Sequence, residues 1–189
     1  MTTTLEAKIS LTEFLKLPET KPASEFIDGR IYQKPMPKGK HSRLQSKLCN
    51  TVNEVGEGEK VALAFTELRC TFGGRSIVPD VVVFEWERVV FDEDGEIADS
   101  FLVCPDWVIE IFSPEQSSTK VIRNILHFLK YGCKLGWLID PEESVILVFL
   151  PHQEILELVG EECLPVPDFI KLNLTVSDVF NWLKPVKLI

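Results

Sequence analysis

The sequence predicts an α/β protein of the α+β kind, with a mixed central β-sheet flanked by helices and a β-hairpin near the N-terminus. Three observations carry that expectation. The short β-branched runs "IVPDVVVF" (77–84) and "DWVIEIF" (106–112) have the character of strands buried on both faces. Two longer segments, 41–55 and 117–132, repeat their apolar residues at helical spacing. Between 106 and 140 a strand, a helix and a second strand follow one another, which packs a helix onto a sheet.

Taken in order, Ser10 or Thr12 can cap a short helix over 11–17 that Pro18 stops. "EFIDGRIYQK" (25–34) holds two β-prone runs around Asp28-Gly29, a dipeptide suited to a tight hairpin turn. Residues 35–40 form a loop. From His41 onward, Leu44, Leu48, Val52 and Val55 recur at spacings of four, four and three, which predicts a helix over 41–55 ended by Gly56 and Gly58. Residues 61–72 alternate loosely and break near Thr66-Glu67, as two strand pieces or one bulged strand, and Gly73-Gly74 is a turn. The runs 77–84 and 106–112 are the centre of the sheet. In 117–132, Val121, Ile122, Ile125, Leu126 and Leu129 form one stripe, Lys120, Asn124 and His127 its polar flank, and Gly132 the stop. "KLGWLID" (134–140) and "SVILVFL" (144–150) are strands joined at "PEE", followed by a weaker strand over 154–158. Pro165 and Pro167 mark a connector, and Ser177 or Thr175 can cap a closing helix over 177–183. With no internal repeat and no linker, the expectation is one domain, 1–189.

At 189 residues, 45% hydrophobic and 26% charged, the chain is neither disordered nor collagen-like, and it is no disulfide scaffold. Its five cysteines lie more than twenty positions apart, without zinc or thioredoxin spacing, and read as core residues. The sequence opens without a signal-like segment, and no apolar run approaches the ~18 residues of a membrane span. A cytoplasmic protein with no membrane partner is expected. The net charge of −9 argues against a general phosphate binder. Yet the charge is uneven: residues 51–100 hold twelve acids and four Lys/Arg, and Asp92, Glu93, Asp94, Glu96 and Asp99 read as a solvated loop. Residues 30–47 hold six basic side chains (Arg30, Lys34, Lys38, Lys40, Arg43, Lys47), with His41 and no acid. That stretch is either a solvated face or a nucleic-acid-binding one.

Asp80 and Glu110 are the informative residues, because each interrupts an apolar strand run where an isolated buried charge costs several kcal/mol or loses its ionisation. Pro79 places Asp80 near a strand end. A salt bridge or backbone cap would account for either carboxylate alone. Two in neighbouring buried strands call for a proton or a cation between them. Mg²⁺ or Mn²⁺ suits such a pair, since a hard cation often takes one or two carboxylates and fills its other positions with water and phosphate oxygens. Lys120 and Asn124, four apart on the next helix, project from one face toward such a site. A lysine there can orient a water or stabilise charge on phosphorus.

"IVPDVVVF", then "PDWVIEIFSPEQS" thirty residues after its aspartate, then a helix and "GCKLGWLIDPEESVILVF", resembles the bacterial Uma-type family, restriction-endonuclease-like proteins within the PD-(D/E)XK nuclease superfamily. The resemblance runs from about Leu11 to Leu183 and includes the hairpin "EFIDGRIYQKPMP" followed by His41. It implies a restriction-endonuclease-like core and metal-dependent phosphodiester hydrolysis. Asp80 and Glu110 match the family's metal-holding acids. The superfamily's lysine usually lies two positions after the second acid, where this chain has Phe112. The Uma-type position, about fourteen residues after the glutamate, is Asn124, and Lys120 one turn earlier is the candidate for the role. Glu25, His41 and Gln45 match polar positions around the family's site.

The leading expectation is a Mg²⁺- or Mn²⁺-dependent DNA endonuclease with Asp80, Glu110 and Lys120 as its catalytic residues, and the stretch 30–47 steering the phosphate backbone. The competing expectation, which the net charge and the displaced lysine favour, is an inactive nuclease-fold module that binds nucleic acid or a protein. A serine hydrolase built on Ser113 is disfavoured because Pro114 leaves no amide for an oxyanion hole. A homodimer through "SVILVFL" or aromatic residues near Trp182 is a further expectation.

Overall fold

The β-branched runs pair into two sheets rather than the one expected, in a computed structural model that describes residues 9–185. In chain order the elements are α1 (Leu11–Phe14), β1 (Ser24–Ile27), β2 (Arg30–Gln33), α2 (Gly39–Glu59), β3 (Ala62–Thr66), β4 (Cys70–Phe72), β5 (Arg75–Ile77), β6 (Val81–Glu85), β7 (Trp107–Ile111), α3 (Ser118–Lys130), β8 (Leu135–Asp140), β9 (Val145–Phe149), β10 (Leu156–Val159) and α4 (Val176–Asn181). The larger sheet runs β10-β9-β8-β7-β6-β3, and the smaller one β2-β1-β5-β4. Only β7 and β8 are parallel among these strands, and α3 is the crossover that joins them.

The central strands β6, β7 and β8 are buried on both faces, which is why they read as largely apolar runs. By strand alternation Val81 and Val83 of β6, with Trp107, Ile109 and Ile111 of β7, meet Leu44, Leu48 and Val52 of α2 and Val179 and Phe180 of α4. Val82, Phe84 and Val108 face the other way, toward Ile125 and Phe128 of α3 and Ile77 of the small sheet. Glu110 shares this second face with Val108. The 77–84 run is thus two strands in two sheets: Ile77 ends β5, Val81 begins β6, and Val78-Pro79-Asp80 carries the chain across. Pro79 sits where no ladder amide is needed.

Helix α1 is shorter than 11–17, although Ser10 caps it as expected, in a reciprocal capping box with Glu13. Helix α2 overruns its expected end, because Gly56 serves packing and not termination. A Cβ on Gly56 would lie 2.5 Å from the Ala62 carbonyl oxygen, so only glycine lets the helix approach β3. The helix stops instead at Lys60, which takes the left-handed conformation (φ 53°). The dimer surface expected of "SVILVFL" is corrected as well: β9 lies between β8 and β10, and Trp182 packs against the core, so neither is a free apolar edge. Among the described residues no helix is long and apolar enough to cross a membrane.

The two helical glycines separate packing from propensity. Gly56→Ala is expected to lower unfolding stability by about 1–2 kcal/mol, overpacking against fixed backbone outweighing the ~1 kcal/mol helix gain. Gly58→Ala, with nothing within 4 Å of its Cβ, should raise it by about 0.5–1 kcal/mol. Urea denaturation of both variants checks the pair, and equal effects would contradict the packing role of Gly56.

Candidate active site

Asp80 stands where the chain passes from one sheet to the other, and its carboxylate is fully buried. Three donors reach the carboxylate and a fourth bonds to the residue's main chain. Asp80 Oδ2 accepts from the Ile111 amide at 2.7 Å and from His41 Nε2 at 3.1 Å, Oδ1 accepts from Lys34 Nζ at 2.6 Å, and Gln45 donates to the Asp80 carbonyl at 2.9 Å. His41 and Gln45 lie one turn apart on α2, so the helix presents both to the Asp80 corner. Glu110, on β7, is 4% exposed and lies 3.9 Å from Lys34 Nζ.

Glu25 completes the cluster from the hairpin. Its Oε1 accepts from the Val78 amide at 3.2 Å and its Oε2 pairs with Lys120 Nζ at 3.0 Å. Lys120 Nζ also lies 4.6 Å from the centre of the Tyr32 ring. Lys120 is therefore tied to Glu25, and among the described residues no ion pair joins it to Asp80 or Glu110. Asn124 is buried and its Oδ1 has no hydrogen-bond partner. Glu25, Lys34, Glu110, Lys120 and Asn124 line one cavity of about 190 Å³. A larger hollow of about 350 Å³ beside α1 is mostly apolar, and its Glu19 and Arg69 pair with each other at 2.7 Å, which leaves it little for chemistry.

Lys34 corrects the sequence reading most. It was grouped with the phosphate-steering stretch, yet its ammonium is buried between the two acids and also donates to the Val78 carbonyl at 2.8 Å. The hairpin register held the signal. Glu25 pairs with Tyr32 across β1 and β2, and the ladder continues as the Lys34 amide bonds to the Ala23 carbonyl at 2.9 Å. Alternation then puts Glu25, Tyr32 and Lys34 on one face. The other five basic residues of the stretch are dispersed: Arg30 and Lys40 are exposed, Lys47 is half-buried, Lys38 pairs with Glu115, and Arg43 donates to the Trp182 carbonyl.

The electrostatics separate the two acids. Burial alone would raise the Asp80 pKa, but Lys34 and His41 hold it below the usual carboxylate range. Burial pushes Glu110 well up; Lys34 offsets part of this, and Asp80 and Glu25 add to it. Burial disfavours the Lys34 ammonium, yet the surrounding carboxylates outweigh that and raise its pKa. The site therefore holds more carboxylate than its cations neutralise, which favours the protonated form of Glu110.

A family model described as "Uma2: Putative restriction endonuclease" matches residues 11–179. Among solved structures, the chain is similar to a crystal structure described as "a putative nuclease belonging to DUF820 from Anabaena variabilis", at 54% identity and a TM-score of 0.91 over 93% of this chain and 99% of that one. None of the curated proteins matches the chain.

Because the folded pKa of Glu110 is raised above its unfolded value, its contribution to stability is present at low pH and is lost as pH rises above the ordinary carboxylate range of about 4.3. In chelator, Glu110→Gln should be more stable than wild type at pH 7, with the gap closing toward pH 4. Thermal melting across that range checks it; a destabilised variant at pH 7 would contradict the assignment.

Proposed function

The chain belongs to the Uma2 family, and we propose that it is a nuclease that hydrolyses phosphodiester bonds of DNA with a divalent ion, Mg²⁺ or Mn²⁺, held by Asp80 and Glu110. The observation that carries this reading is the meeting of two buried acids, Asp80 just before β6 and Glu110 on β7, at one buried lysine, with Glu110, Lys34 and the unpartnered Asn124 lining one cavity. Among the described residues no three or more His, Cys, Asp or Glu side chains form a metal cluster. Two carboxylates nonetheless fit a hard ion that keeps waters and takes substrate phosphate oxygens for the rest of its shell. The all-oxygen donor set suits Mg²⁺ or Mn²⁺ over softer metals.

When bound, such an ion supplies Lewis-acid polarisation of the phosphoryl oxygens and a more acidic water. The protein's own groups do the rest. The Ile111 amide and His41 fix the Asp80 carboxylate, so its free geometry is set before substrate arrives. Lys34 supplies positive charge beside both acids, where charge on a phosphoryl group in flight needs it. Lys120 holds Glu25 in place, and the Asn124 amide is positioned to accept a hydrogen bond from a water or a substrate hydroxyl. Exposed Arg30 and Lys40 give a modest, screened attraction for the phosphate backbone. The alternative, an inactive nuclease-fold module, drew support from the net charge and from the displaced lysine; the buried ammonium of Lys34 weakens the second of these.

Purified protein incubated with plasmid, linear and single-stranded DNA in Mg²⁺ or Mn²⁺ tests the reading. Cleavage is expected to fall by about 10²-fold or more in Asp80→Asn and in Glu110→Gln. Undiminished cleavage in both variants would overturn the assigned site, and no cleavage of any DNA by wild type would favour the binding module.

A further inference from the structure

The two oxygens of Asp80 are not equally free. Oδ2 is committed to the Ile111 amide and to His41 Nε2, which together use its two lone-pair directions. A cation that reaches Asp80 must therefore do so through Oδ1, and Oδ1 is the oxygen that Lys34 Nζ holds at 2.6 Å. The same ammonium lies 2.8 Å from the Val78 carbonyl and 3.9 Å from Glu110 Oε2. Its surroundings are thus all oxygen, drawn from two acids and a main-chain carbonyl, which is the donor chemistry a hard divalent ion uses. The side chain is 9% exposed, and among the described residues its ion-pair partners are Asp80 and Glu110 alone.

We propose that the Lys34 ammonium occupies, before a divalent ion binds, the position between Asp80 Oδ1 and Glu110 that the ion takes, so that metal binding is an exchange of one cation for another. The inference rests on the reading of the Asp80–Glu110 pair as a divalent-metal centre. The exchange explains how the fold tolerates an ionised Asp80 without metal: a resident cation already answers it, and breaking such a pair leaves an uncompensated buried charge. It also sets metal affinity, because the ion must displace the ammonium or sit against its like charge. The 190 Å³ cavity beside Glu110, Lys120 and Asn124 gives the displaced side chain somewhere to go. From there its charge faces the space in which a phosphate would lie.

Isothermal titration with Mn²⁺ alone, on wild type, Lys34→Met and Lys34→Arg, tests the exchange. Lys34→Met is expected to bind Mn²⁺ at least tenfold tighter than wild type, and Lys34→Arg to stay within about threefold of it. Equal affinity of the Met variant and wild type, or no Mn²⁺ binding by any of the three, would overturn the inference. Should the Met variant not fold, acetic anhydride labelling of the wild-type protein, read by mass spectrometry against exposed Lys40, decides the question. Acylation of Lys34 should be low in chelator and rise severalfold in Mn²⁺; unchanged labelling overturns the exchange. Neither readout depends on cleavage. Tighter Mn²⁺ binding by the Met variant of a protein that cuts no DNA would leave the exchange standing and sink only the nuclease reading.

Discussion

Three carboxylates, Glu25, Asp80 and Glu110, are buried at one seam between the two sheets, and their charge dictates what must surround them. Removing an ion from water costs several kcal/mol even after relaxation. Unit charges about 4 Å apart attract by roughly 4 kcal/mol at an effective dielectric constant of ~20. Lys34 can therefore balance one of its two acid neighbours but not both, and Lys120 is engaged by Glu25. The imbalance shows in the opposite displacement of the two acids, Asp80 held ionised and Glu110 driven toward its protonated form. A second positive charge is what the seam lacks.

The fold packs tightly around that seam, and Glu110 and Glu25 reach the cavity beside it. β6 and β7 bury their faces between α2 and α3, so Glu110 on β7 and Asp80, the residue before β6, are anchored by strands that cannot shift without disturbing two cores. The hairpin approaches from the small sheet and contributes Glu25 and Lys34 across the break at Pro79. Placing a site at the junction of two sheets lets each supply a different partner: acids from the large sheet, a cation and a further acid from the hairpin. Rigid supports of this kind are what a preorganised hydrolytic site requires.

Much of this was legible in the sequence because it follows from local rules. A carboxylate inside an apolar strand run is costly, and that cost alone marked Asp80 and Glu110. Asp28-Gly29 gave the hairpin and Pro79 the strand break. The failures have physical causes too. A lysine counted along the chain carries one charge whether solvated or buried, so Lys34 passed as one more member of a basic stretch until the hairpin register placed its face. Gly56 looked like a helix stop because propensity describes an isolated helix, whereas its role is to admit the Ala62 carbonyl. "SVILVFL" was a candidate two-fold contact because apolar character does not distinguish an outer strand from an inner one, and β10 pairs along it. Each case was decided by what packs against the residue in three dimensions, which a count along the chain does not carry.

The most direct test of the central claim is a crystal of the protein soaked in Mn²⁺ and measured for anomalous scattering. The account predicts a peak bound by Asp80 Oδ1 and a Glu110 oxygen, with the Lys34 ammonium withdrawn from Asp80. A Lys34–Asp80 pair that persists at saturating Mn²⁺, with no peak between the two acids, would contradict it.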